Sequence, residues 1–579
     1  MILQALNGYY ERLLADSSSA IPEFGFSVES VAHCVILAKN GDVVGVHDLR
    51  ERDGNRVVLK KVVVPKPPKE RSGTKAPAYF LWDKSKYVIG CDVDPKGNRQ
   101  FHTFAFDDFA KRQFGLLEGV EDMGAKAFSE FAKKRKLGDI PSWANDDVMS
   151  GRFMVFQLDG EPGFLHEREG LRRIWLQHLE KEAPEDVGQC LITGLSGQAI
   201  AYTHPQIKNV QGANTAGAAL VSFNATAFES YNKGKGNLNA PVSERAAFAY
   251  TTALNHLLAP ESPRKLRVGD TTVVFWTEAR GEAERFFNFA MGGRHAEDDS
   301  LARRLEGYLS AVTKGKYPEE LGDSRTPFYV LGLSPNAARL SVRFWHVGTV
   351  GDMAAHLGEH YRALALQRRF DSDPEHPSPW HLLKELAPQR DSKNMSPLLF
   401  GQFVRSVVQG LAYPQTLLSA AIGRIRADKE VNYLRAAVIK AFLVRNRKQE
   451  IPMTLDTTNT DIGYRLGRLF AIVERIQEEA VPGANATVKD RFFASAAATP
   501  ARTFPIIVKN AQHGLAKIRK DKPGWAINLD KAIQEIVGGI DAATGFPASM
   551  PSDKQSMFIL GYYQQRQDFY TKKEKNTED

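Results

Sequence analysis

Cysteine is nearly absent: Cys34, Cys91 and Cys190 are the only three in 579 residues. Their odd number, wide spacing and lack of any C-x-x-C pair exclude a disulfide framework and a thiolate zinc site, and point to a reducing compartment. Long apolar runs are missing too. Apolar stretches such as 218–223 and 273–276 fall well short of the roughly 18 to 20 residues that a membrane-spanning helix needs, so no membrane contact is expected. The N-terminus has no charged stretch leading into an apolar one. Ile2, Leu3, Leu6, Tyr9, Tyr10, Leu13 and Leu14 recur instead at helical spacing, which reads as a mature cytoplasmic start. Neither sign of charge dominates, with 76 Lys and Arg against 68 Asp and Glu and a formal excess of +8. No G-x-x-x-x-G-K-[ST] cradle occurs, and Gly234-Lys235-Gly236 lacks the third glycine of a dinucleotide fingerprint. A G-x-S-x-G nucleophile elbow is also missing. No cofactor is expected.

What remains is globular composition: 43% hydrophobic and 25% charged, which at roughly 150 residues per domain suits two to four domains with substantial cores. Two apolar runs flank Asn40-Gly41, and a dipeptide that tolerates the positive φ of a type I′ turn predicts a hairpin there. The following VPKPPKERSGTKAP is an exposed basic loop, since proline cannot donate to a strand ladder. Further strands are expected at 87–93, 153–158, 189–195, 218–223, 271–277, 328–333 and 340–346, with a helix over 243–258. Beyond about 350 strand-like alternation stops and period-3.6 stripes take over. The expected fold class is α+β: a mixed α/β N-terminal portion with antiparallel hairpins, followed by an all-helical C-terminal bundle. Boundaries near 350 and Pro452 divide the chain into 1–350, a helical linker domain 351–452, and a helical bundle 453–579.

One string looks enzymatic. His356-Leu-Gly-Glu359-His360 matches the H-x-x-E-H pattern in which two histidines on one helix face hold zinc and the glutamate acts as base, so a zinc-dependent hydrolase stands as the alternative function. Against it, Gly358 weakens that helix by about 1 kcal/mol and no third ligand is evident. His376, Trp380 and His381 lie in a proline-rich loop. No catalytic residue is assigned.

A richer signal lies in SFNATAFESYNKGKGNLNAPVSERAAFAYTTALNHLL (222–258) and GDTTVVFW (269–276). With IPEFGFSVESVAHCVILAKNGDVV, VPKPPKERSGTKAPAYFLWDKSKYVIG, LGLSPNAARLSVRFW and FILGYYQQRQDFY, these segments resemble the large subunit of the type I-C CRISPR Cascade, the Csd family, from the first helix to the last turn. The resemblance implies a subunit without enzymatic activity in an RNA-guided surveillance complex. Its implied partners are CRISPR RNA, the Cascade backbone subunits, the repeat-processing subunit, a small subunit and a helicase-nuclease that it helps recruit. The implied role is to read a short PAM on target double-stranded DNA, aid its opening and hold the displaced strand, while guide pairing reads the sequence. Relatives also make the small subunit from an internal start, for which Met453 is the candidate, and 453–579 would then resemble that subunit.

Three clusters suit such contacts. In the loop 223–239, Asn224, Asn232, Asn237 and Asn239 carry paired donors and acceptors suited to base edges, Lys233 and Lys235 can neutralise phosphates, and Gly234 and Gly236 permit close approach. A plain surface turn whose asparagines satisfy their own backbone is the competing reading. Lys66, Lys69, Arg71, Ser72 and Lys75 form a second basic cluster, either a phosphate clamp or a solvated charge run. Lys509, His513, Lys517 and Lys520 recur at intervals of three or four on one helix face and suit a single strand's backbone, with Arg435, Arg445, Arg447 and Lys448 as an extension. Phe248, Tyr250, Leu254, Val273, Phe275 and Trp276 are read as core. The terminal Tyr562, Tyr563 and Phe569 either cap the bundle or dock on a neighbouring subunit.

Overall fold

The computed structural model describes residues 2–571 except 17, 18, 20, 55, 67–75, 182, 183, 185, 224, 235, 280, 294–298, 484, 542 and 544. They form two compact units, Met1–Lys208 with Ala216–His256 and Asn209–Thr215 with Leu257–Asp579. The fold class is α+β.

In the first unit, α1 (Ile2–Leu14) buries Leu6, Tyr9, Tyr10 and Leu13, the stripe its spacing predicts. A mixed sheet follows, made of β1 (Phe26–Leu37), β2 (Val43–Asp48), β3 (Lys60–Pro65), β4 (Trp82–Lys84) and β5 (Phe153–Leu158). Its order is β2-β1-β5-β4, with β3 paired to the first half of β1. Only β1 and β5 run parallel. Helices α2 (Thr103–Leu117), α3 (Met123–Lys134) and α4 (Glu169–Lys181) supply Phe109, Phe128 and Trp175 to a core shared with Val35, Leu37, Met154 and Phe156. A second cluster joins Val31, Ile36 and Val155 to Tyr79 and Trp82, whose rings stack at 4.4 Å. Burial on both faces is why Val31 to Leu37 reads as one apolar run rather than an alternation.

Asn40-Gly41 does join two antiparallel strands, β1 and β2, but not through a type I′ turn. Gly41 alone has positive φ, +83°, its N–H donates to the Ala38 carbonyl, and the register slips between Ile36 and Leu37. The loop is three residues long rather than two: Ala38 N–H donates to Asp42 O, and Gly41 takes the left-handed position of the bulge, where a Cβ would overlap the backbone of Phe131 in α3. Three expected strands also differ. The stretch 87–93 breaks at Gly90 (φ +84°), separating a short helix, Ser85–Val88, from a three-residue strand, Cys91–Val93. In 189–195 a tight turn closes instead, with Cys190 N–H donating to Leu195 O and Gly194 N–H to Cys190 O. The run 218–223 forms one isolated bridge, Ala218 to Ile207. The expected helix is present as α5 (Glu244–Leu257), where Phe248 meets Tyr10 edge-on at 6.0 Å.

The second unit begins with an antiparallel sheet in chain order, β6 (Lys265–Val268), β7 (Thr271–Thr277), β8 (Pro327–Asn336) and β9 (Arg339–Thr349). Between its strands lie α6 (Ala283–Ala290) and α7 (Asp299–Thr313). Phe275 and Val273 of β7 pack against these helices. After Thr349 no strand occurs among the described residues, as the loss of alternation predicts. The switch is sharp because Thr349 caps α8 (Val350–Leu364) reciprocally with Asp352. Then come α9 (Pro379–Leu386), α10 (Pro397–Val408), α11 (Gln415–Asp428), α12 (Tyr433–Arg447), α13 (Ile462–Ala480), α14 (Val488–Ala498), α15 (Pro500–Asp521), α16 (Pro523–Gly538) and α17 (Ser552–Asp568). One apolar core runs from β6 to α17 and spans both residue 350 and Pro452. Phe470, Phe493, Phe504, Phe558 and Tyr562 meet edge-on within it, and α17 is buried on all sides from Ser556 to Gln565. Tyr562 and Tyr563 are therefore core residues of this unit.

Candidate nucleic-acid interface

In the first unit the loop 223–239 is held by its own last residue. Asn239 accepts at Oδ1 from Ser230 N–H (2.8 Å) and donates from Nδ2 to the carbonyls of Gly234 (2.8 Å) and Gly236 (3.2 Å). Asn237 is buried, its backbone N–H donating to Tyr202 O at 3.1 Å. Gly236 has φ +77°, and a Cβ there would lie 2.7 Å from the Tyr202 ring. Two of the four asparagines thus shape the loop rather than face solvent. Asn224 and Lys235 lie outside the described residues.

The tip presents Tyr231, Asn232 and Lys233, all exposed. Tyr231 and Asn232 take successive left-handed conformations, φ +52° and +53°, which asparagine tolerates and tyrosine does not favour. Such strain costs of order 1–3 kcal/mol per residue and collects at functional sites. Tyr231 is 93% exposed. An aromatic ring held in solvent beside a lysine and an asparagine offers a stacking face, a cation and a base-edge hydrogen-bonding group together. Periodicity does not single out Tyr231, because Phe228 lies at helical spacing before it; the signal the sequence carries is an aromatic residue set in a Gly, Asn and Lys loop.

Of the second cluster, only Lys66 is described; Lys69, Arg71, Ser72 and Lys75 lie outside. Lys66 closes an ion pair with Glu29 on β1 at 2.9 Å, and its backbone N–H donates to Gly25 O. It fastens the strand pair β1–β3 where the loop departs.

In the second unit Lys509, His513, Lys517 and Lys520 all lie exposed on one unbroken helix, α15. At 1.5 Å rise per residue the stripe runs about 16 Å. Asn510 and the exposed Ile506 lie beside it. The expected extension is different. Arg435 is fully buried, paired with Asp428 at 2.6 Å and Glu385 at 3.0 Å, and donates to Glu430 O. Arg445 donates to Leu411 O at 2.8 Å with its guanidinium over the Tyr413 ring. Arg447 pairs with Asp553 at 2.7 Å, and Lys448, at φ +54°, ends α12. Both buried arginines satisfy core carboxylates and carbonyls and are out of reach of a strand, because an unpaired buried charge is too costly to leave. Sequence spacing cannot distinguish such an arginine from a surface one.

The H-x-x-E-H string does lie on one helix, α8, and the Nδ1 of each histidine meets a protein group. His356 Nδ1 meets Val408 O at 2.9 Å, and His360 Nδ1 meets the Tyr413 hydroxyl at 2.6 Å. Burial, reinforced by the Arg445 guanidinium, holds His360 neutral by pushing its pKa down to about 3. Glu359 faces solvent. Gly358 is where α8 crosses α7, since a Cβ would overlap Val312 O. His376 pairs with Glu306 at 2.5 Å. No cluster of three His, Cys, Asp or Glu side chains suited to a metal occurs among the described residues, and no described helix is long and apolar enough to cross a membrane.

Met453 is exposed in the connection between α12 and α13, where its carbonyl accepts from Gln367 N–H at 3.0 Å. Residues from there on comprise α13 to α17 and include the aromatic cluster around Phe470. Residues 6–570 match the family model described as CRISPR-associated protein (Cas_Csd1). No curated protein matches the chain.

Proposed function

The chain belongs to the Cas_Csd1 family of CRISPR-associated proteins, and from that premise we propose that it is the large subunit of a type I-C Cascade, without catalytic activity. It reads the PAM on duplex DNA, aids opening, holds the displaced strand and helps recruit the helicase-nuclease. Its partners are CRISPR RNA, the backbone and repeat-processing subunits, and a small subunit translated from Met453. The observation that carries this reading is the tip of the loop 223–239. Tyr231, Asn232 and Lys233 are projected into solvent by a loop that Asn239 and Gly236 brace from beneath. Such a tip supplies stacking, base-edge contact and phosphate neutralisation at one place. Asn224 and Lys235 belong to the same proposed contact, and Lys69, Arg71, Ser72 and Lys75 to a phosphate clamp beside Lys66. The α15 stripe is the proposed track for the displaced strand.

Opening of the duplex is read by permanganate reactivity of displaced-strand thymines in guide-RNA complex assembled with and without this chain. Strong reactivity only in its presence supports the proposal. Equal reactivity without it contradicts the opening and strand-holding roles.

A further inference from the structure

A cavity of about 360 Å³ opens on the second unit among α13, α14 and α15. Its floor is apolar, with Ile476 and the Phe492 ring among the lining groups. Its rim carries Arg491, Asn510, His513 and Lys517, all exposed. No carboxylate lines it among the described residues, and neither Arg491 nor Lys517 forms an ion pair among them. Gly514 shapes the cavity. A Cβ there would lie 2.6 Å from Ile476 Cγ2, so the glycine lets α15 approach α13 closely just below the rim.

An apolar slot with a cationic rim and no acid selects a flat, apolar-faced group attached to an anion. Two of the rim residues, His513 and Lys517, belong to the α15 stripe, so an occupant would reach the cavity from a chain already lying along that helix. We propose that this cavity takes one unpaired nucleotide of a single-stranded DNA, with the base between Phe492 and Ile476 and the adjoining phosphate at Arg491 and Lys517. Asn510 has the paired donor and acceptor needed for a base edge. The stripe alone would hold a strand by charge and ignore its bases; the cavity adds a contact that requires one. This inference rests on the reading of α15 as a strand track, and the experiment separates the two.

The full-length chain is titrated by fluorescence anisotropy with a labelled thymidine 20-mer and with the same length carrying abasic sites throughout, which keeps the phosphates and removes the bases. The expected result is a roughly fivefold or greater preference for the thymidine oligomer at matched salt dependence. Tyr231→Ala is made alongside to remove the other exposed ring, and the preference should survive it. Asn510→Leu removes the base-edge amide and sets a branched aliphatic group over the cavity mouth without adding a stacking face or touching the core. It should abolish the preference while the abasic oligomer binds as before with an unchanged salt slope. Equal binding of both oligomers to the native chain, or a preference that persists in Asn510→Leu, overturns the cavity assignment and leaves the strand track standing. Failure to bind either oligomer overturns both.

Discussion

Gly467 of α13 lies directly against the Phe558 carbonyl of α17, with no room for a β-carbon between them. Gly463, one turn earlier, meets the Lys554 carbonyl in the same way, and Gly561 of α17 meets Tyr464. The G-x-x-x-G spacing thus brings two helix backbones into contact at the centre of the bundle. The phenol of Tyr464 donates to Gln564 at 2.5 Å and seals the pair. Gly467→Ala should lower stability by about 1–3 kcal/mol, as added volume in a tight core does, despite alanine's better helix propensity. Denaturant unfolding checks this, and an unchanged midpoint would show that the helices can separate without cost.

Three buried histidines should make the protein acid-sensitive. Burial pushes His166 and His204 down to about 4 and His360 to about 3, against an ordinary value near 6.5. Below pH 6.5 the unfolded chain takes up these protons first, so stability present at neutral pH is lost as pH falls from 6.5 toward 4. Each such histidine steepens the loss by up to about 1.4 kcal/mol per pH unit. His360→Gln should flatten the profile measured by thermal unfolding between pH 4 and 7. A parallel profile would mean that this ring is charged inside the folded unit.

At the loop tip, charge and stacking separate experimentally. Lys233→Ala should weaken DNA binding across all flanking sequences and reduce the salt slope, because a phosphate contact releases a counterion. Tyr231→Ala should weaken binding with the salt slope intact. Binding curves at several salt concentrations distinguish the two, and unchanged curves for both variants would remove this tip from the interface.

Met453→Leu should eliminate a short C-terminal co-product while the full-length chain persists, seen directly on an immunoblot of the expressed gene. Persistence of the short band would place its origin elsewhere.

Legibility in the sequence followed the range of the forces involved. The stripe of α1, the all-helical character after Thr349 and the burial of Tyr250 and Phe275 follow from periodicity, which is local, and the structure bears them out. The turn at Gly41, the break at Gly90 and the fold of 189–195 follow from contacts or backbone conformations that a short apolar run does not encode. Site residues divide the same way. Spacing alone puts Lys509 and Lys517 on one helix face, whereas Arg435, which spacing cannot tell from a surface residue, is a core cation paired to Glu385 and Asp428. The hydrogen-bonding capacity of Asn239 is legible in the sequence, but its partners, Ser230, Gly234 and Gly236, are not.

The central claim is that this chain reads the flank of a DNA target, and one measurement addresses it most directly. Target duplexes with a randomised flanking trinucleotide are bound to guide-RNA complex reconstituted with and without the chain, and the bound fraction is sequenced. Flank selection only when the chain is present, and relaxed by substitution of Asn232, is the predicted result. The same selection in complexes that lack the chain would contradict it.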